Sequence, residues 1–215
     1  MAFDTALRKS WRAAPAVSTL VAAAVLVWLA GLMTQWSSAM VVHAAFLPER
    51  LEGFPGDEFW VPAWLTPIST LFVHAGFIHL ALSLVALFVF GRAIETAVGS
   101  IGFLLLYLAG ALVAAATFFW VHPTGLYWVG AGGGIGALLG AYAMLFGRSR
   151  APTRAGMGRW SYTLWLCVGW TLLVLLVTFA YADWWAIYYA AATIASFVIG
   201  LPLGRLLLLY RYRKA

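Results

Sequence analysis

Hydrophobic residues run along this chain in long blocks separated by short polar clusters. Residues 13–48, 59–91, 96–147, 160–182 and 184–204 contain no Asp, Glu, Lys or Arg. A helix needs about 20 apolar residues to cross the hydrocarbon core of a bilayer, and a charge at its centre costs about 2.5 to 3.5 kcal/mol. The third block is long enough for two crossings and is broken by the turn-forming run His122-Pro123-Thr124-Gly125. The pattern therefore predicts six spanning helices, over residues 14–33, 68–90, 98–120, 128–146, 160–181 and 184–209.

Composition agrees with this pattern. The chain is 64% hydrophobic and 9% charged, with a mean hydropathy of +0.93, well outside the composition of a soluble domain. The expected class is an all-α integral membrane protein forming a single domain over residues 1–215. Cytoplasmic loops collect Lys and Arg, and the thirteen cations sort accordingly. Arg8, Lys9 and Arg12 precede the first span, and Arg92 follows the second. Arg148, Arg150, Arg154 and Arg159 lie between the fourth and fifth, Arg205, Arg211, Arg213 and Lys214 end the chain, and Arg50 alone falls on the opposite side. Both termini are expected in the cytoplasm, in a bacterial inner membrane. Topology and anionic lipid then account for the net charge of +6, and no nucleic-acid partner is called for. The first apolar run is too long, and lacks the small-residue site, for a cleaved signal peptide.

Residues 34–65, between spans one and two, mix Glu49, Glu52, Asp57 and Glu58 with Trp36, Met40, Phe46, Phe54, Phe59, Trp60 and Trp64. That amphipathic mixture is expected to lie in the headgroup layer. Small residues recur every fourth position at Ala192, Ser196, Gly200 and Gly204, and at Gly132, Gly136 and Gly140. Lipid gives helices no hydrophobic reason to associate, so such strips serve close backbone packing, and the two are expected to face each other. A phosphate-binding role for the glycines fails: no GxGxxG is completed, no strand pattern precedes them, and the only lysines are Lys9 and Lys214. No nucleotide is expected. Cys167 is the single cysteine and lies in a span, which leaves no internal disulfide or CxxC metal pattern.

Three segments carry a resemblance to a known family. LTPISTLFVHAGFIHLALSLVALFVFGRAIETAVG, residues 65–99, resembles the second span of the rhomboid intramembrane serine proteases, with paired histidines and a GxxxE turn from Gly91 to Glu95. VGAGGGIGALLGAY, residues 129–142, is similar to the family's GASGAIxGLLGAY, and ATIASFVIGLPLG, residues 192–204, to its AHIGGFxxG. The resemblance implies a six-transmembrane-helix bundle with an amphipathic first loop. It also implies a Ser–His dyad, with an Asn and a second His polarising the carbonyl of a cleaved transmembrane substrate.

At those positions the chain departs from the family. Gly132 stands where the resemblance puts the nucleophile, Thr193 where it puts the general base, and Ser83 where it puts the oxyanion Asn; His79 alone is retained. Thr66 stands near the place of the family's first-loop arginine. The chain has no Asn at all and no His beyond His122. Acyl transfer needs a nucleophile with a base in hydrogen-bond reach and donors aimed at the oxyanion. Glycine offers no oxygen and threonine is no base. In soluble serine proteases losing either member of the pair costs about 10⁴ to 10⁶ in rate, and losing both costs little more.

The expectation is a member of the scaffold that binds transmembrane clients without cleaving them, with membrane lipid and client helices as partners and no cofactor or metal. Two other readings stay open. One is an active endopeptidase using a different dyad, such as His79 with Ser83, four residues apart on one helical face; an experimentally inactivated enzyme would explain fewer of the changes. The other is a transporter, against which stands the lack of ionisable groups in spans three to six. His74, just before span two, suits a bond to loop backbone. His43 and His122 read as interfacial, Asp183 as a cap opening the sixth span, and Glu95, beside Arg92, as an ion-pair or helix-end group.

Overall fold

The computed structural model describes residues 14–35, 37–53, 60–121, 125–150, 158–182 and 186–213. Its named elements are helices, among them α1 Pro15–Met33, α2 Ser37–Ala44, α3 Phe77–Ala86, α4 Arg92–Val121, α5 Gly132–Arg150, α6 Arg159–Ala182 and α7 Ala186–Arg211. A π-helical turn, Leu87–Gly91, joins α3 to α4. Four segments are long and apolar enough to cross a membrane: Pro15–Met33, Phe77–Val121, Trp160–Ala180 and Ile187–Arg211. The 45-residue stretch Phe77–Val121 is two arms, because Gly99 (φ 80°, ψ 166°) interrupts it. Gly132–Gly147 is a shorter apolar helix. The arrangement is a helical membrane bundle around α5, whose residues from Ile135 to Ala143 are almost wholly buried.

The second expected span differs at its start. Residues 68–72 belong to the short turns Thr66–Ser69 and Thr70–Phe72, and the continuous helix begins only at Phe77, after a break through Gly76. A break there is consistent with Gly76, which lowers helix propensity.

The small-residue strips do pack together. A Cβ on Gly140 would overlap the carbonyl of Phe197, one on Gly200 that of Ala137, and one on Gly204 the side chain of Ala141. Gly136 is held as closely by Ser196 Oγ. Only glycine lets α5 and α7 approach this far, where dispersion contact replaces the hydrophobic drive that lipid does not supply. Gly132 stands apart from the strip, since its nearest neighbour is Trp128. α5 also meets α4 closely, through Gly133 against Ala114 and Gly110.

Glu95 is a helix-end group rather than an ion-pair partner of Arg92. It is 3% exposed, and its two oxygens accept the backbone N–H groups of Ala16 and Val17, each at 2.9 Å, at the start of α1. Ser100 Oγ donates to it at 2.6 Å. A carboxylate at a helix N-terminus satisfies unpaired donors and complements the dipole. At the same end Arg211 Nη1 donates to Thr96 O at 2.8 Å and lies over Gly99. His122, Asp183, Trp36, residues 54–59, the cations at residues 8–12, Arg154 and Lys214 lie outside the described residues.

Candidate functional site

The segment entering α5 is pinned by Phe46 and by Thr70. Phe46 and Trp128 form an antiparallel bridge, with Phe46 N donating to Trp128 O at 3.0 Å and Trp128 N to Phe46 O at 2.8 Å. Thr70 Oγ1 donates to Trp128 O, and Gly130 N donates to Thr70 O at 2.9 Å. The first loop is tied down in turn by Arg50, which donates to the carbonyls of His43 and Val61, and by Ser69 Oγ, which donates to Ala44 O at 2.8 Å. Thr66, near the position of the family's loop arginine, is fully buried and donates to Ala63 O at 2.6 Å. Arg50 thus braces this loop from a different place in the sequence.

These constraints bring Gly130 against His79. Gly130 has φ +95°, a left-handed conformation, and a Cβ there would lie 2.5 Å from His79 Cε1 and Nε2. Both the backbone angle and the ring demand glycine. His79, Ser83 and Gly132 then line one cavity of about 990 Å³, with α2 and α6 forming much of the remaining wall through Val41, Val42, Leu173 and Val174.

Of the four positions singled out from sequence, three meet in this cavity and one does not. Gly132 opens α5, so its N–H belongs to the first turn, whose donors lack intrahelical partners. Thr193 is fully buried outside the cavity wall, and its Oγ1 donates to Tyr189 O at 2.8 Å, one turn back. His79 and Ser83 share the wall but no hydrogen bond joins them among the described residues. The His79 ring instead packs edge-on to His74, with centroids 5.0 Å apart. His74 Nδ1 lies 3.3 Å from Phe72 O, a loop-backbone contact of the kind its position suggests, while its Nε2 is buried with no partner among the described residues.

Aromatic rings flank the remainder. Trp128 stacks on Tyr189 (5.4 Å, 28°) and meets Phe118 edge-on at 5.6 Å, while Tyr189 OH donates to Tyr127 O. Sequence reading missed Phe46, Glu49, Arg50, Thr70, Trp128 and Tyr189 as site-building residues. Their partners are 7 to 82 residues away, most of them more than 50, and no local spacing signals them. No group of three or more His, Cys, Asp or Glu that could hold a metal ion occurs among the described residues.

Chemically, the cavity offers imidazole, hydroxyl and carboxyl groups and a largely apolar wall. A family model described as Rhomboid domain matches residues 62–210. A Bacillus subtilis (strain 168) protein named "Putative rhomboid protease YdcA" is 32% identical over 82 residues, which is 38% of this chain and 41% of that protein. The alignment thus spans about two-fifths of that relative's length.

Proposed function

The chain belongs to the rhomboid family, and from that premise we propose that it is a pseudoprotease, binding the transmembrane helices of client proteins without cutting them. The observation that carries this is the pairing of a large cavity between α3 and α6 with a glycine at the nucleophile position. Hydrolysis needs an oxygen and a base in contact, and Gly132 has no side chain to offer. Thr193 is no base, and its hydroxyl is engaged with the Tyr189 carbonyl. His79 and the first-turn N–H groups of α5 remain able to hold a carbonyl, which is binding without turnover.

The topology that goes with this reading has both termini in the cytoplasm of a bacterial inner membrane and the first loop on the far side. The skew of Lys and Arg supports it.

A photoreactive amino acid at Val174 or Val177, on the α6 wall, tests client binding in the reconstituted chain. Adducts with an added transmembrane helix, competed away by the same helix without label, are expected. Capture of lipid alone would sink the client-binding reading.

A further inference from the structure

We propose that the cavity selects client helices carrying a lysine or arginine at the end level with the first loop, and that Glu49 reads that charge. The inference rests on the client-binding reading above and names the class of client it takes.

Glu49 sits in the helical turn Pro48–Leu51 and is the only charged residue lining the cavity among the described residues. Its Oε1 accepts the N–H of Gly125, on the segment leading toward α5. Its Oε2 is buried and has no hydrogen-bond partner among the described residues. Withdrawing a carboxylate oxygen from water without giving it a donor is costly, and a cation is the partner that offsets the cost best. Arg50, the adjacent cation, does not line the cavity and donates to the carbonyls of His43 and Val61.

The rest of the wall fits the body of a cationic side chain. Val41, Val42 and Ala45 of the first loop face the cavity, as do Leu173, Val174 and Val177 of α6. A lysine or arginine near a helix end lays its methylene stem along such apolar surface and extends its head to a polar partner. One carboxylate at one end of an apolar trough therefore specifies both chemistry and direction: the client's apolar stretch lies along α6 and its cation lies at Glu49. The sequence of the loop supports the sign, since residues 34–65 hold four carboxylates against one arginine.

The test uses the full chain in nanodiscs free of primary-amine lipids, with two synthetic transmembrane peptides identical except for Lys or Gln at the first-loop end. The native chain is expected to bind the Lys peptide about tenfold more tightly, the scale of one charge-assisted hydrogen bond. Glu49→Gln keeps an acceptor for the Gly125 N–H and should bind both peptides alike, with an unchanged thermal midpoint. Glu49→Lys should reverse the order and bind the Gln peptide more tightly. Equal binding of both peptides by the native chain would overturn the charge selection while leaving client binding intact. A Lys preference that survives Glu49→Gln would overturn the role of Glu49, and failure to bind any peptide would overturn this proposal together with the reading beneath it.

Discussion

A Cβ added at Gly132 would meet only Trp128 Cζ2, at 3.5 Å, an ordinary van der Waals distance. There is space for a side chain at this position, where the resemblance puts the family's nucleophile. Gly132→Ser is expected to fold with a stability change within about 0.5 kcal/mol, the range of substitutions that disturb no packing. Thr193→His is different, because Thr193 is fully buried and its hydroxyl is bonded within its own helix. Overpacking of that kind costs about 1 to 3 kcal/mol. Thermal or denaturant unfolding in micelles checks both, and a Thr193→His variant as stable as the native chain would show room for an imidazole that the packing denies. Of the four positions that the quoted motifs single out, Gly132, His79 and Ser83 line the cavity and Thr193 does not. That mutual placement was not legible in the sequence, since a motif gives a position in the chain and not the partner that a hydroxyl chooses.

Among the elements, the seam between α5 and α7 is the tightest contact. Gly140→Ala and Gly200→Ala drive a methyl group into backbone atoms that cannot move aside, and each is expected to cost about 1 to 3 kcal/mol or more. Gly169, on α6, has nothing within 4 Å of a would-be Cβ. Gly169→Ala should therefore be neutral or gain up to about 1 kcal/mol from helix propensity. Unfolding midpoints of the three variants give the comparison, and similar values for all would remove the seam as the organising contact. The four-residue spacing made this seam legible in advance, because helical periodicity is a local property. The start of α3 at Phe77 and the π-helical turn Leu87–Gly91 were hidden within an unbroken apolar run. Hydropathy marks what lies in the membrane, not where a helix bends.

At the scale of the whole molecule, Glu95 holds α1 against the rest of the bundle through contacts 78 and 79 residues apart in sequence. Glu95→Ala leaves two backbone donors and the Ser100 hydroxyl without their acceptor. Each hydrogen bond to a charged group is worth about 1.5 to 3 kcal/mol, so a loss of at least about 2 kcal/mol is expected, with Glu95→Gln milder. Unfolding of the two variants measures it, and equal stability would mean that α1 is held by its apolar contacts alone. The GxxxE spacing pointed to Glu95, but only the folded chain shows that it caps another helix. The cavity likewise belongs to the assembled molecule, drawing walls from the first loop, α3, α5 and α6. Whether that cavity retains clients or cuts them is decided most directly by mass spectrometry of a doubly labelled transmembrane client, co-reconstituted with the chain and followed to long times. The client should be recovered at its full mass while cross-linking to α6. Fragments that accumulate with the native chain and vanish with Ser83→Ala would contradict the account and assign the chemistry to His79 and Ser83.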